Sequence, residues 1–113
     1  MKSMYRGDSK SFAITIVDKD GLPVDITGHT LTLVVKETRT AITYLLESEI
    51  TSFTDPTNGT TDITITGDES YYFPIGIVFV GVLWDNGVDK ITVLDTTLQV
   101  KEPLIIPPEP IPN

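Results

Sequence analysis

The stretch Ile75-Gly76-Ile77-Val78-Phe79-Val80-Gly81-Val82-Leu83-Trp84 decides the fold. It is rich in β-branched and aromatic residues, and both of its alternating phases are apolar. Ile77, Phe79 and Leu83 lie on one phase, and Val78, Val80, Val82 and Trp84 on the other. With two internal glycines it is half as long as a membrane-spanning helix, so it reads as a strand that needs cover on both faces. Asp85-Asn86-Gly87 follows as a hairpin turn, and Ile91 with Val93 opens the returning strand. Beyond Val93 the apolar phase passes to Leu94, Leu98 and Val100, which predicts a bulge near Leu94-Asp95.

Working back toward the start, Phe12, Ile14 and Ile16 alternate with Ser11, Ala13 and Thr15, and Leu31, Leu33 and Val35 with Thr30, Thr32 and Val34. Each is the period-two signature of a strand with one buried face. Asp18-Lys19-Asp20-Gly21 supplies turn residues between them, and Pro23 holds the next few residues extended. Residues 40–50 carry Ile42, Tyr44 and Leu46 at strand spacing, and their β-branched flanks favour strand over a weak helix. Asp55-Pro56-Thr57-Asn58-Gly59 is a turn cluster ahead of Ile63 and Ile65, which predicts a hairpin. Gly67-Asp68-Glu69-Ser70 breaks that strand, and Tyr71-Tyr72-Phe73-Pro74 is expected as a turn over one end of the core. Six or seven short strands in a chain of this size predict one antiparallel β-sandwich of immunoglobulin-like type, without the immunoglobulin cysteine pair. The expected core is Phe12, Ile14, Ile16, Leu31, Leu33, Val35, Ile63, Ile65, Phe79 and Ile91. Residues 1–102 form the domain, and residues 103–113, with Pro103, Pro107, Pro108, Pro110 and Pro112, an extended tail.

At 113 residues the chain has room for one core, and its 40% apolar content makes folding the expectation. Sixteen acidic against eight basic residues give a formal charge of −8, which repels phosphate backbones and anionic membranes. Nucleic acid and membrane are therefore poor partners. With no cysteine there is no disulfide, thiol nucleophile or thiolate metal site. The opening residues are too polar for a secretory leader, so export by that route is not expected.

Residues with possible chemistry each have a plainer reading. Arg6-Gly7-Asp8 is the integrin tripeptide, but here it reads as a polar lead-in to the first strand. Asp18, Asp20 and Asp25, like Asp85 and Asp89, have spacings that calcium loops use, yet the closing Glu is missing and turns recruit Asp and Gly for backbone reasons. His29 is the only histidine and no nucleophile-elbow motif accompanies it, so catalysis is not expected. Neither a cofactor nor a metal is expected. Tyr71, Tyr72, Phe73 and Trp84 would serve carbohydrate stacking if they lay together on the surface, which makes a glycan- or surface-binding module the alternative function.

The combination of Arg6-Gly7-Asp8, then Asp18-x-x-Gly21-x-Pro23-Val24-Asp25-Ile26-Thr27-Gly28, a strand reaching Lys36, Gly59 before a Thr-Ile strand and Pro74-x-Gly76 resembles the N-terminal domain of phage baseplate upper proteins over residues 5–101. The resemblance implies a non-enzymatic virion protein that docks on other virion structural proteins; together with the polar opening residues and the two-sided apolar strand, it leads to the expectation of assembly in the host cytoplasm and of homo-oligomers. The chain departs from that family at Ile77, where a tyrosine is usual, and no fibre domain follows Val100, so an adaptor, decoration or attachment role is expected. Trp84, Leu104, Ile105, Ile106 and Ile111 are the expected partner-binding residues, the four tail residues lying in a groove of a neighbouring subunit.

Overall fold

A computed structural model describes residues 2–105. Seven strands run in the order β1 (Lys2–Tyr5), β2 (Lys10–Thr15), β3 (Thr30–Lys36), β4 (Leu46–Ile50), β5 (Thr60–Ile65), β6 (Gly76–Asp85) and β7 (Lys90–Lys101), with a one-turn helix α1 (Gly67–Ser70) between β5 and β6. They form a five-stranded sheet of order β1-β7-β6-β3-β4 and a two-stranded sheet of β2 and β5. The two pack face to face as an all-β sandwich. The strands divide five and two, where an immunoglobulin constant domain divides four and three, so two-sheet sandwich is the description that holds. The pairing is also not wholly antiparallel. Residues 2–5 pair parallel with residues 98–101 of β7, and Met4 of this edge strand is buried beside Val100.

The small sheet points Phe12, Ile14, Ile63 and Ile65 inward, and the large sheet answers with Leu31, Leu33, Val35, Val78, Val80, Val82, Leu98 and Val100. Ile16, Ile26 and Phe73 complete the same cluster. Two expected core residues are not in it. Phe79 is half-buried on the outer face and Ile91 is 44% exposed. Partners directly opposite in a ladder share a face, and β3 sets Leu33 against Val82 and Val35 against Val80. The valine phase of β6 therefore follows β3 inward, and the Phe79 phase is turned out. Ile91 stands opposite Trp84 on the inner face, at an end of the sandwich left partly open.

Other boundaries shift for identifiable reasons. The bulge in the β6–β7 ladder falls at Val93, because Val82 faces Leu94 while Leu83 faces Thr92. The strand expected across residues 40–50 occupies only Leu46–Ile50, and Ile42 is 96% exposed in the loop before it. The turn at residues 55–59 does not close a hairpin between β4 and β5. β4 pairs with β3 and β5 with β2, so the turn carries the chain from one sheet to the other. Gly59 sits there at φ 68°, where an added Cβ would stand 2.6 Å from the carbonyl oxygens of both Ile16 and Val24. Only glycine permits that approach.

Candidate functional site

Two regions at opposite ends of β7 bring together the residues with binding potential. The first surrounds Trp84. The row Leu31, Trp84 and Ile91 continues the inner face one step past Leu33 and Val82. Facing it, β2 ends at Thr15, and the chain turns away through Asp18 and Gly21. The mismatch leaves a cavity of about 490 Å³ between the sheets, walled by Ile16, Val17, Val24, Trp84, Ile91 and Val93. Trp84 is half-buried, and its Nε1–H donates to His29 Nδ1 at 3.1 Å. That bond fixes the indole in the cavity wall. It also makes His29 Nδ1 an acceptor, the reverse of the donor role that nitrogen has in a Ser-His-Asp arrangement.

The second region joins the segment after β1 to α1 and to the end of β7. Arg6 Nη1 donates to the Tyr71 carbonyl at 3.1 Å and Nη2 to Glu102 Oε1 at 3.2 Å, and the guanidinium lies 5.0 Å from the Tyr71 ring centroid. Its side chain is only 17% exposed. Gly7 N–H donates to Ser70 Oγ at 3.0 Å, and Ser70 Oγ donates to the Asp8 carbonyl at 2.7 Å. The Arg6-Gly7-Asp8 tripeptide is thus bonded into α1 and the end of β7, not projected on a loop as integrin recognition requires. Leu104 and Ile105 emerge beside it, 98% and 83% exposed, at a shallow cavity with Tyr5, Asp8 and Pro103.

The aromatic residues do not assemble into a platform. Tyr71 and Tyr72 meet edge to face at 5.1 Å, Phe73 is buried, and Trp84 lies at the far end of β6. The aspartates serve their own turns. Asp18 Oδ1 accepts from the Asp20 and Leu22 N–H groups, Asp25 Oδ1 from the N–H and hydroxyl of Thr27, and Asp85 Oδ1 from Gly87 N–H. The Thr27 bonds hold the Asp25 carboxyl below its ordinary value. Among the described residues no group of three or more His, Asp or Glu side chains is placed to hold a metal ion.

The outer face of β6 carries Ile77, Phe79 and Leu83. Its cover comes from long side chains rather than another layer. The Arg39 guanidinium lies 5.2 Å from the Phe79 centroid while bonding both oxygens of Asp95 at 2.9 and 3.0 Å, which holds the Asp95 carboxyl below its usual range. The Arg39 pairing was not legible in advance, since 56 residues separate the partners. Of the expected partner-binding residues, Trp84 lies at one end of the domain and Leu104 and Ile105 at the other, while Ile106 and Ile111 lie outside the described residues. Ile91, Val93 and Val17, which complete the Trp84 cavity, were not foreseen as binding residues. The sole signal was an apolar run continuing to the sheet end.

No family model and no curated protein matches the chain. Among solved structures, the N-terminal domain of ORF48 of phage TP901-1 shares the fold, with a TM-score of 0.60 at 17% sequence identity, covering 90% of this chain and 85% of that one. At that identity the likeness is one of fold.

Proposed function

We propose that the protein is a non-enzymatic structural component of a bacteriophage particle, of the tail or baseplate kind, and acts through contacts with other virion proteins. The observation that carries this reading is the fold shared with the phage TP901-1 ORF48 domain across nearly the whole of both chains. The sequence pattern supports it independently, because the turn-and-strand signature over residues 5–101 resembles the N-terminal domains of baseplate upper proteins. The arrangement of polar groups agrees. Asp18, Asp25, Asp85, His29 and Ser70 are each engaged in bonds that shape a turn or join elements, while open apolar surface gathers at the Trp84 cleft and around Leu104. Apolar surface of that kind suits protein association.

Mass spectrometry of purified particles tests the reading. The chain is expected in the particle at a copy number fixed relative to the tail proteins. Particles that lack it, with the chain left in the soluble lysate, would overturn the proposal.

A further inference from the structure

The two-stranded sheet is too narrow and too short to cover the five-stranded one, and part of the deficit falls beside Trp84. At the cleft beside Trp84, Val17 is 50% exposed, Ile91 44% exposed, and Trp84 and Val93 only half-buried, although Trp84, Ile91 and Val93 lie beside the inner row of the sandwich. A volume of about 490 Å³ accommodates several side chains. The same chain carries a segment of matching chemistry, Ile106-Pro107-Pro108-Glu109-Pro110-Ile111-Pro112-Asn113. Proline fixes its own φ and lacks an N–H, so such a segment loses little entropy when held extended and leaves few donors to satisfy on burial. Proline-rich segments dock in apolar grooves with aromatic walls.

We infer that the Trp84 cleft receives residues 106–113 of a second copy of this chain. Reach keeps the chain's own Ile111, the last large apolar side chain of the segment, out of the cleft. Ile105 lies past Lys101, beside Tyr5 and Asp8. Ile111 is six residues further, about 19 Å at polyproline rise, whereas Val93 lies eight residues back along β7, about 26 Å. The point where Ile105 leaves the domain and the cleft therefore stand at opposite ends of β7, and seating Ile111 in the cleft needs two molecules. Charge does not oppose this docking, because Lys19 on the cavity rim stands beside Asp18 and can face Glu109 of the segment.

Trp84 is the only tryptophan, so its emission reports directly on the cleft. The full chain is expected to self-associate with rising concentration in sedimentation velocity, with a parallel blue shift of Trp84 fluorescence. Ile91→Glu, at an exposed position, and truncation after Ile105 should each weaken association about tenfold or more, the effect of one well-buried contact residue, with the dichroism spectrum unchanged. A benzophenone side chain at position 111 in a nitrogen-15-labelled chain, mixed with unlabelled chain, should cross-link to the unlabelled peptide holding Trp84 and Ile91. A chain that stays monomeric at every concentration overturns the inference. So does association indifferent to both changes, or cross-links confined to the same copy or to the outer face at Phe79. These measurements use purified chain alone, so their failure leaves the virion reading standing, and failure of the virion reading leaves them untouched.

Discussion

Asp25 shows how a single side chain in this protein serves the backbone before anything else. Its Oδ1 accepts from the Thr27 hydroxyl at 2.6 Å and from the Thr27 N–H at 2.9 Å, and both bonds favour the ionised carboxyl. A carboxyl lowered in the folded state adds stability that is complete above its unfolded value, near 3.8 for an ordinary aspartate, and that is lost as pH falls through the lowered folded value. Thr27→Val removes the stronger bond and keeps the backbone one. The Asp25 pKa should then rise toward the ordinary value without reaching it, as read from its carboxyl carbon shift in an NMR titration; no movement would show that the hydroxyl bond is absent in solution. The same sign holds for Asp95, where the Arg39 bonds are the cause.

Among the elements, α1 is too short to be stable by propensity and is held by its ends. Thr66 caps it, its hydroxyl accepting from Glu69 N–H while the Glu69 carboxylate accepts from Thr66 N–H, a reciprocal capping box. Ser70 then bonds the helix to the segment after β1, and it is fully buried. An added Cβ on Gly67 would lie 2.5 Å from the Gly7 carbonyl oxygen, so the two segments are in close contact. Ser70→Ala leaves the Gly7 N–H and the Asp8 carbonyl without this partner, at a cost of about 1–3 kcal/mol. Urea denaturation should show that loss with an unchanged slope. A variant as stable as the parent would mean that water replaces the hydroxyl.

For the whole molecule, one apolar cluster joins both sheets, so stability is shared rather than assigned to either. Leu33 lies on β3 of the large sheet, opposite Val82, and is buried within the cluster. Leu33→Ala should cost about 2–5 kcal/mol, through lost burial and the cavity left behind. Dichroism and Trp84 fluorescence should still report one coincident transition, because the core is continuous. Two separated transitions would show that the Trp84 end unfolds on its own.

That the chain is all-β is legible in local pattern, since period-two alternation in residues 11–16, 30–35 and 61–65 is a property that any sheet must obey. The Asp85-Asn86-Gly87 hairpin is legible in the same way, because turn chemistry is local too. Which face of β6 is core follows from its pairing: with both phases apolar, local pattern is silent, and the register with β3 makes the choice. The parallel pairing of residues 2–5 was hidden for a similar reason, since four residues such as Lys2-Ser3-Met4-Tyr5 form a strand through their partner and not by their own preference. The Trp84 cleft arises because a short two-stranded layer faces a longer five-stranded one, and the relative extent of two layers is a property of how they are stacked, which no single segment encodes.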